Sequence, residues 1–380
     1  LLDIRNCIAK QNPKDISKCL LKYKNSSNIL QEIPLVDKQG NYILIEIHLN
    51  NNEFNQIVKN EWYKAGKGIG FTDNGGFQFK STSSTDAPID IKAAWRVFDA
   101  RSTPEEKSRY YLTKRRLAIP KEQYVCTVDN CPTDDHVLQE VEVGLIGFHL
   151  AYKIPEQQNN TPGWIWATFE QVDNLEVENP PQGIDLQPTL SKPDCQENCL
   201  ANYPYVEPPF LWRDQAPHAV TKDDNGQIKQ QISTQVVRWT KSGSSLKNQE
   251  LDKGVELAVE KQNQNWQEAL KKVAKVNANA QESVWQYYKL IGTQWLMTPS
   301  VTNEPTSSTQ LNKSIAAISN GREIMPEKTL FNAAMEAYLK NYEYRNNSCI
   351  ACHVQATRKV SKSGTQEAFS DFSFLLDRAK

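Results

Sequence analysis

The chain has no excess of charge of either sign and no long hydrophobic run. Its 44 Lys and Arg residues nearly balance 45 Asp and Glu residues, which gives a formal net charge of -1. This balance argues against general electrostatic attraction to nucleic acid or to an anionic membrane. The best apolar run, 141–152, is shorter than the roughly 18 residues of a membrane span and contains Glu142 and His149. We therefore expect a soluble protein without a membrane span and without a nucleic-acid partner.

Sequence patterns of several common protein classes are also missing. The chain has no Ser-His-Asp ordering, no glycine-rich phosphate loop and no metalloprotease motif, and residues 66–70 do not match a dinucleotide fingerprint. It has no repeat of fixed period, and its 380 residues are too many for a small disulfide scaffold. The sequence therefore gives no support to hydrolytic, dinucleotide-dependent or repeat-protein classes.

The eight cysteines fall into four local pairs, a pattern that favours an oxidising compartment. The start at Leu1, with no export signal ahead of it, is neutral because a cleaved signal would leave the same start. Three of the pairs are predicted to be stabilising disulfides, with a labile redox pair as the alternative for the third: Cys7 with Cys19, Cys126 with Cys131, and Cys195 with Cys199.

Hydrophobic periodicity divides the chain into three parts. Strand-like alternation in 42–49, 141–152 and 164–169 predicts a β-rich lobe over residues 1–177. Prolines crowd the next stretch, so residues 178–230 are predicted to be an extended connector.

After about Leu251 the period becomes helical, and residues 231–380 are predicted to be a mainly helical lobe. A β-rich lobe followed by a helical lobe gives an α+β fold class. The helical prediction rests on two stripes of apolar residues at helical spacing: Val284, Tyr288, Ile291 and Trp295, and then Phe331, Met335, Tyr338 and Tyr342.

The motif C-x-x-C-H at Cys349, Cys352 and His353 is the attachment signature of c-type haem. Two cysteines three positions apart lie one helical turn apart, so both sulfurs can reach the haem vinyl groups. The following histidine can then ligate the iron. With this composition the pattern is expected by chance roughly 0.002 times per chain. The sequence therefore predicts one covalent haem c, with thioethers at the two cysteines and His353 as the proximal iron ligand.

A redox disulfide and a zinc site are the alternatives to haem for the same motif. A redox disulfide between Cys349 and Cys352 would favour a strand before the pair, whereas a helix-period segment precedes it here. A zinc site would need two further Cys or His ligands, and the other cysteines are predicted to pair with each other.

Four stretches carry a likeness to a known group of proteins: residues 143–150, 164–174, 285–295, and 349–353 followed by 371–376. In these stretches the chain resembles a group of exported bacterial proteins described as cytochrome c family proteins, which have a large N-terminal region and one haem motif near the C-terminus. The resemblance implies haem c and export, but no specific reaction. In that group the positions that match residues 168–171 typically read Thr-Phe-Glu-His, and Gln171 replaces the His here, so any role of that His is absent.

Few histidines and methionines remain to occupy the other face of the iron. His149 is expected to share the apolar face of Val143, Leu145 and Ala151, with Gly147 leaving space beside it, and is the candidate distal group as a neutral imidazole. A core histidine hydrogen-bonded to backbone is the alternative. Met297, just before a proline, is the alternative candidate for the sixth ligand. The less favoured candidates are His48, His136 and His218.

Other side chains are candidates for contact with the porphyrin itself. Arg345 and Arg358 lie near the motif and are predicted to pair with the haem propionates. Trp164 and Trp166 are predicted to be core residues, with a wall for the haem as the alternative.

Two functions follow from these residues. The leading one is a periplasmic mono-haem cytochrome in redox chemistry or electron transfer, serving a redox partner protein or a small oxidant. The alternative is a haem enzyme or a peroxide- or gas-binding protein with an open distal site, where His149 assists proton transfer. Whether the chain is an enzyme is left open at this point.

Overall fold

The computed structural model describes the chain as a set of segments around one central β-sheet. The described residues are 34–64, 79–125, 133–155, 163–175, 184–191, 211–213, 218–222, 225, 228–230, 236, 253–276, 283–296, 324–325, 330, 332–337, 349–354, 356–359 and 367–376.

The central sheet contains seven strands: β1 (Leu44–Leu49), β2 (Ile89–Phe98), β3 (Leu112–Pro120), β4 (His136–Lys153), β5 (Trp164–Gln171), β9 (Tyr288–Leu296) and β10 (Ile324–Met325). It is antiparallel throughout, with the strand order β1-β2-β4-β5-β9-β10 and with β3 paired to β4. Strand β4 is 18 residues long, so its first part pairs with β3 and its second part with β5, while β2 lies along the other edge.

Two smaller antiparallel sheets complete the β-structure of the described residues. One contains β6 (Leu211–Arg213), β7 (His218–Lys222) and β8 (Ile228–Gln230), and it falls within the predicted connector. The other is a hairpin of β11 (Thr357–Lys359) and β12 (Glu367–Phe369), directly after the C-x-x-C-H motif.

The described helices are α1 (Asn51–Lys59), α2 (Pro104–Ser108), α3 (Lys253–Val276) and α4 (Cys349–His353). Helix α1 begins where the Asn50 side chain accepts a hydrogen bond from the Glu53 N–H, a usual N-cap arrangement. Helix α3 is tied to the sheet by Asn263, whose amide exchanges two hydrogen bonds with the backbone of Leu290 at 2.8 and 2.9 Å. Short 3₁₀ turns lie at Ser84–Asp86, Lys121–Gln123, Val172–Asn174, Val284–Tyr287 and Phe374–Leu376.

The predicted α+β fold with a mainly helical C-terminal lobe is wrong, because the described part of the chain is mostly antiparallel β-sheet. After residue 231 the described helices are α3 and α4. Residues 284–295, predicted to be helical, form a 3₁₀ turn and then β9, which pairs with β5 along its length. Gly292 and Gln294 lie on the inward face of β9 but are not hydrophobic. The alternation of apolar and polar residues that predicts a strand is therefore missing from the sequence here. The segment 332–337 around Met335 forms turns. Pairing with β5 has thus outweighed the helical spacing of the apolar residues.

A β-bulge in β4 changes which side chains share a face with His149. The register between β2 and β4 shifts so that Leu145 lies opposite Trp95 while Gly147 lies opposite Ala94. Because one extra residue reverses the alternation, Leu145 packs with Trp95 on one face and His149 lies on the other. The expected common face of Val143, Leu145 and His149 is therefore wrong.

Gly147 lies on the same face as His149, and the space beside it is filled. The buried Asn332 amide approaches Gly147 and donates hydrogen bonds to Thr168 Oγ1 at 3.0 Å and to the Phe169 carbonyl at 2.9 Å. A Cβ at Gly147 would lie 2.8 Å from Asn332 Oδ1 and 3.2 Å from the Phe169 carbonyl oxygen. The room expected beside His149 is thus occupied by the 332–337 segment.

We predict that Gly147→Ala lowers the free energy of unfolding by about 1–3 kcal/mol, because Asn332 cannot keep both hydrogen bonds beside a methyl group. Urea denaturation measures the change. Gly292→Ala is the matched control, since its Cβ would meet only the flexible Leu330 side chain, and we expect a smaller loss. An equal loss in both variants would contradict the role given to Asn332.

Candidate functional site

The C-x-x-C-H helix α4 lies on one face of the central sheet, which we call the site face. Register places two rows of side chains across it, because directly opposed residues of antiparallel strands point to the same side. The first row is Lys92, His149, Thr168 and Gly292, and the second is Asp90, Ala151, Trp166 and Gln294.

Helix α4 is fastened to this face at its first residue and along its apolar side. The buried Gln294 side chain accepts a hydrogen bond from the Cys349 N–H at 3.0 Å and so satisfies one free donor of the first turn. Ile350 and Val354 are fully buried in a cluster with Trp164, Trp166 and other apolar side chains. The helix orientation is therefore set by the sheet beneath it.

His353, at the end of α4, has one ring nitrogen engaged and a defined tautomer. The Phe372 carbonyl lies 2.7 Å from Nδ1, and since a carbonyl only accepts, Nδ1 carries the proton. Trp166 and Phe374 flank the ring at centroid distances of 5.7 and 5.1 Å. Burial among these rings lowers the pKa of His353 to about 4. The neutral ring therefore keeps its lone pair on Nε2, the form in which imidazole binds a metal.

The two motif cysteines keep part of their surface exposed, and neither is joined in a disulfide. They stand one helical turn apart on α4, while Ile350 between them points into the core. Two accessible thiols at this spacing, followed by an imidazole with Nε2 available, are the donor set that a covalent haem requires. The residues present thus fit the group that the motif predicts.

His149 is held by an acidic partner on the 332–337 segment. Its Nε2 lies 3.0 and 3.1 Å from the two carboxylate oxygens of Glu336, and the Lys92 ammonium lies 4.0 Å from the same carboxylate. Burial lowers the pKa of His149, but Glu336 and Cys349 more than offset it and raise the pKa to about 10. Paired with Glu336, the His149 ring favours the charged imidazolium form rather than the neutral imidazole expected of a distal group.

A second group of ionisable side chains is buried beside the site face. Asp371 and Lys153 form an ion pair at 2.8 Å, with Glu53 and Asp90 nearby. Burial raises the pKa of Asp90 to about 7, and burial together with Asp90 raises that of Glu53. Both carboxyl oxygens of Glu53 are buried without a hydrogen-bond partner within the described part of the chain. The site face therefore favours the neutral, protonated form of Glu53 and shifts Asp90 in the same direction.

Several residues of the predicted site lie outside the described residues, namely Met297, Arg345 and the six cysteines of the predicted disulfides. Arg358 is in β11, where only its backbone is described. The buried Gln171 binds Asp173 and caps a 3₁₀ turn, which is a structural role. His48 pairs with Glu46 at the surface, as expected.

The structure also adds residues that sequence reasoning missed. No sequence motif marks three of them, which reach the site through strand register and through the 332–337 segment: Lys92, Gln294 and Glu336. The sequence did point to the region of the Phe372 carbonyl, because residues 371–376 belong to one of the stretches that carry the family resemblance. Trp166 was expected in the core and is there, where it also contacts His353.

Comparison with known proteins adds no family to this picture: no family model, curated protein or solved structure matches the chain. Within the described ranges, no helix is long and apolar enough to cross a membrane. No three of the described His, Cys, Asp and Glu side chains are grouped so as to hold a metal ion on their own.

We predict that Glu336→Gln lowers the free energy of unfolding by about 1–3 kcal/mol at pH 6, because a buried imidazolium loses its charged partner while Asn332 keeps an acceptor. A histidine with a raised pKa stabilises the fold fully below its unfolded pKa of about 6.5 and loses this contribution as the pH rises through its folded value. The difference from wild type should therefore shrink towards pH 10.

Urea denaturation of both proteins at several pH values measures this difference. Glu140→Gln is the matched control, because the Lys114–Glu140 pair has side chains 72% and 56% exposed and should contribute little. A loss that does not depend on pH would count against the charged pair.

Proposed function

We propose that this chain is a mono-haem c-type cytochrome that carries single electrons. Cys349 and Cys352 hold the porphyrin through thioethers, and His353 is the proximal iron ligand. The observation that carries the proposal is the hydrogen bond from His353 Nδ1 to the Phe372 carbonyl at 2.7 Å. Such a bond to the second ring nitrogen is the usual support of a metal-binding histidine, since it fixes the tautomer and the ring orientation.

The side chains around His353 suit a redox centre that is kept from water. Haem iron, when bound, supplies an electron acceptor that changes oxidation state by one. Trp166 and Phe374 contact the ring of His353, and Phe372 packs against Trp166 behind it. Apolar walls and a hydrogen-bonded axial ligand are two means by which a protein sets the reduction potential of haem.

Electron carriage is favoured over proton-assisted peroxide chemistry by the pairing of His149. A distal base needs a neutral nitrogen to accept a proton. In the structure Nε2 of His149 lies 3.0 Å from Glu336, and this carboxylate favours the protonated ring. The proposed partner is therefore another redox protein, with a small oxidant as the alternative. An exported, periplasmic location is proposed from the attachment chemistry and the cysteine pattern.

We predict that the protein made in a host able to attach haem c gains the mass of one haem, which acidified acetone does not extract. Cys349→Ser with Cys352→Ser should remove the covalent haem, because no thioether can form. Intact-mass spectrometry and the pyridine haemochrome spectrum report both results. Glu140→Gln is the control and should keep the haem. Colourless wild-type protein with the mass of the bare polypeptide would refute the proposal.

We predict that carbon monoxide leaves the spectrum of the ferrous protein unchanged, because an electron carrier has both axial positions of iron filled. Met297 is the candidate sixth ligand, so Met297→Ala should make the ferrous protein bind carbon monoxide. Met335→Ala is the control, since Met335 packs in a cluster with Ile146 and Ala333, and its spectrum should not change. Binding of carbon monoxide by the wild type would favour the haem-enzyme alternative.

A further inference from the structure

The backbone that carries the Phe372 carbonyl adopts an unfavourable conformation. Residues 370–373 form a turn closed by the Ser373 N–H donating to the Ser370 carbonyl at 2.9 Å. Its central residues, Asp371 and Phe372, have φ angles of 47° and 66°. Positive φ at both central positions is characteristic of a type I′ turn, in which Gly, Asn or Asp is preferred. Phe372 is an exceptional choice there, and such residues persist only where the surroundings hold them.

The Asp371 side chain is held from two directions. Lys153 Nζ on β4 donates to both carboxylate oxygens, at 2.8 and 3.0 Å, and the Phe79 N–H donates to Oδ2 at 2.8 Å. The Lys153 and Asp371 side chains are only 4% and 3% exposed. The Lys153 ammonium also lies 5.5 Å from the centre of the Trp164 ring. The turn is thus fastened to the central sheet through a buried ion pair.

The Phe372 side chain fastens the other half of the turn. Its ring is buried and meets Trp166 edge-on at a centroid distance of 5.5 Å. With Asp371 held on one side and the Phe372 ring on the other, the carbonyl of Phe372 projects towards His353 Nδ1. The direction of this carbonyl therefore depends on the contacts of the Asp371 side chain and on the packing of the Phe372 ring.

We propose that Lys153 and Asp371 are positioning residues for His353: their ion pair holds the strained 370–373 turn so that the Phe372 carbonyl keeps the proton on Nδ1 and leaves Nε2 for the iron. This inference rests on the proposed haem function, but the tautomer of His353 can be tested without haem. It gives a role to the 371–376 stretch and to a buried charge pair that the attachment motif does not explain.

The test replaces the pair by residues of similar volume, Lys153→Met with Asp371→Asn. Exchanging a buried ion pair for neutral groups is often tolerated, and Asn keeps both an acceptor for Phe79 and a tolerance of positive φ. In the haem-loaded protein the midpoint potential should rise, because a weaker hydrogen bond at Nδ1 makes the imidazole a poorer electron donor to iron.

The second readout uses the Cys349→Ser, Cys352→Ser protein, which binds no covalent haem. Nitrogen-15 NMR should show His353 protonated at Nδ1 with the ion pair intact. With the pair replaced, a fraction protonated at Nε2 should appear, the form that free histidine prefers. If this double replacement does not fold, Lys153→Gln with Asp371→Asn is used, because two neutral amides can still hydrogen-bond each other and leave no unpaired buried charge; the same two shifts are expected at smaller amplitude.

Asp37→Asn with Arg96→Met is the matched control. This replacement removes another buried ion pair, at 2.9 Å, together with the Arg96–Glu106 pair, and no described contact joins these side chains to His353. It should lower stability and leave both the tautomer and the potential unchanged. A folded Lys153→Met, Asp371→Asn protein with wild-type tautomer and potential would overturn the positioning role. A colourless wild type with the Nδ1–H tautomer would instead refute the haem function and leave the positioning intact.

Discussion

The hydrogen bond between His353 Nδ1 and the Phe372 carbonyl is the interaction on which the site depends. A carbonyl oxygen has no proton to give, so this contact decides which ring nitrogen is protonated and which is open. It also joins two segments that are separate in sequence, α4 and the 370–373 turn, above the same part of the sheet. Without it, the ring would still be surrounded by aromatic side chains but would have no fixed direction.

The sheet acts as the base on which these segments are arranged. Register alone places Lys92, His149, Trp166 and Gln294 on one face, although they come from four different strands. The bulge in β4 is essential to this arrangement, because it turns His149 towards α4 and away from the cluster around Trp95. One inserted residue in a strand thus decides whether a histidine belongs to the site or to the opposite core.

The sequence alone predicted the parts of the site that are local. The motif at 349–353 and the strands near 42–49, 141–152 and 164–169 are short patterns whose spacing can be read directly. Strand β9 could not be recognised, because its inward residues Gly292 and Gln294 are not hydrophobic and only pairing with β5 reveals their role. Glu336 lies 187 residues from His149, a distance in sequence at which no periodicity informs pairing. Long-range pairs of this kind are decided by packing, which a pattern along the chain does not contain.

Strand β4 contributes both His149 and Lys153, and over residues 147–152 it is hydrogen-bonded to a neighbour on each edge. His149 and Lys153 therefore project from one short length of backbone that is hydrogen-bonded to a neighbouring strand on each side. For the electron carrier proposed above, this backbone, which is hydrogen-bonded on both edges, would have a kinetic consequence. Fixed dipoles and charges would need little rearrangement if the charge on a bound iron changed, so the reorganisation cost of each transfer would be small.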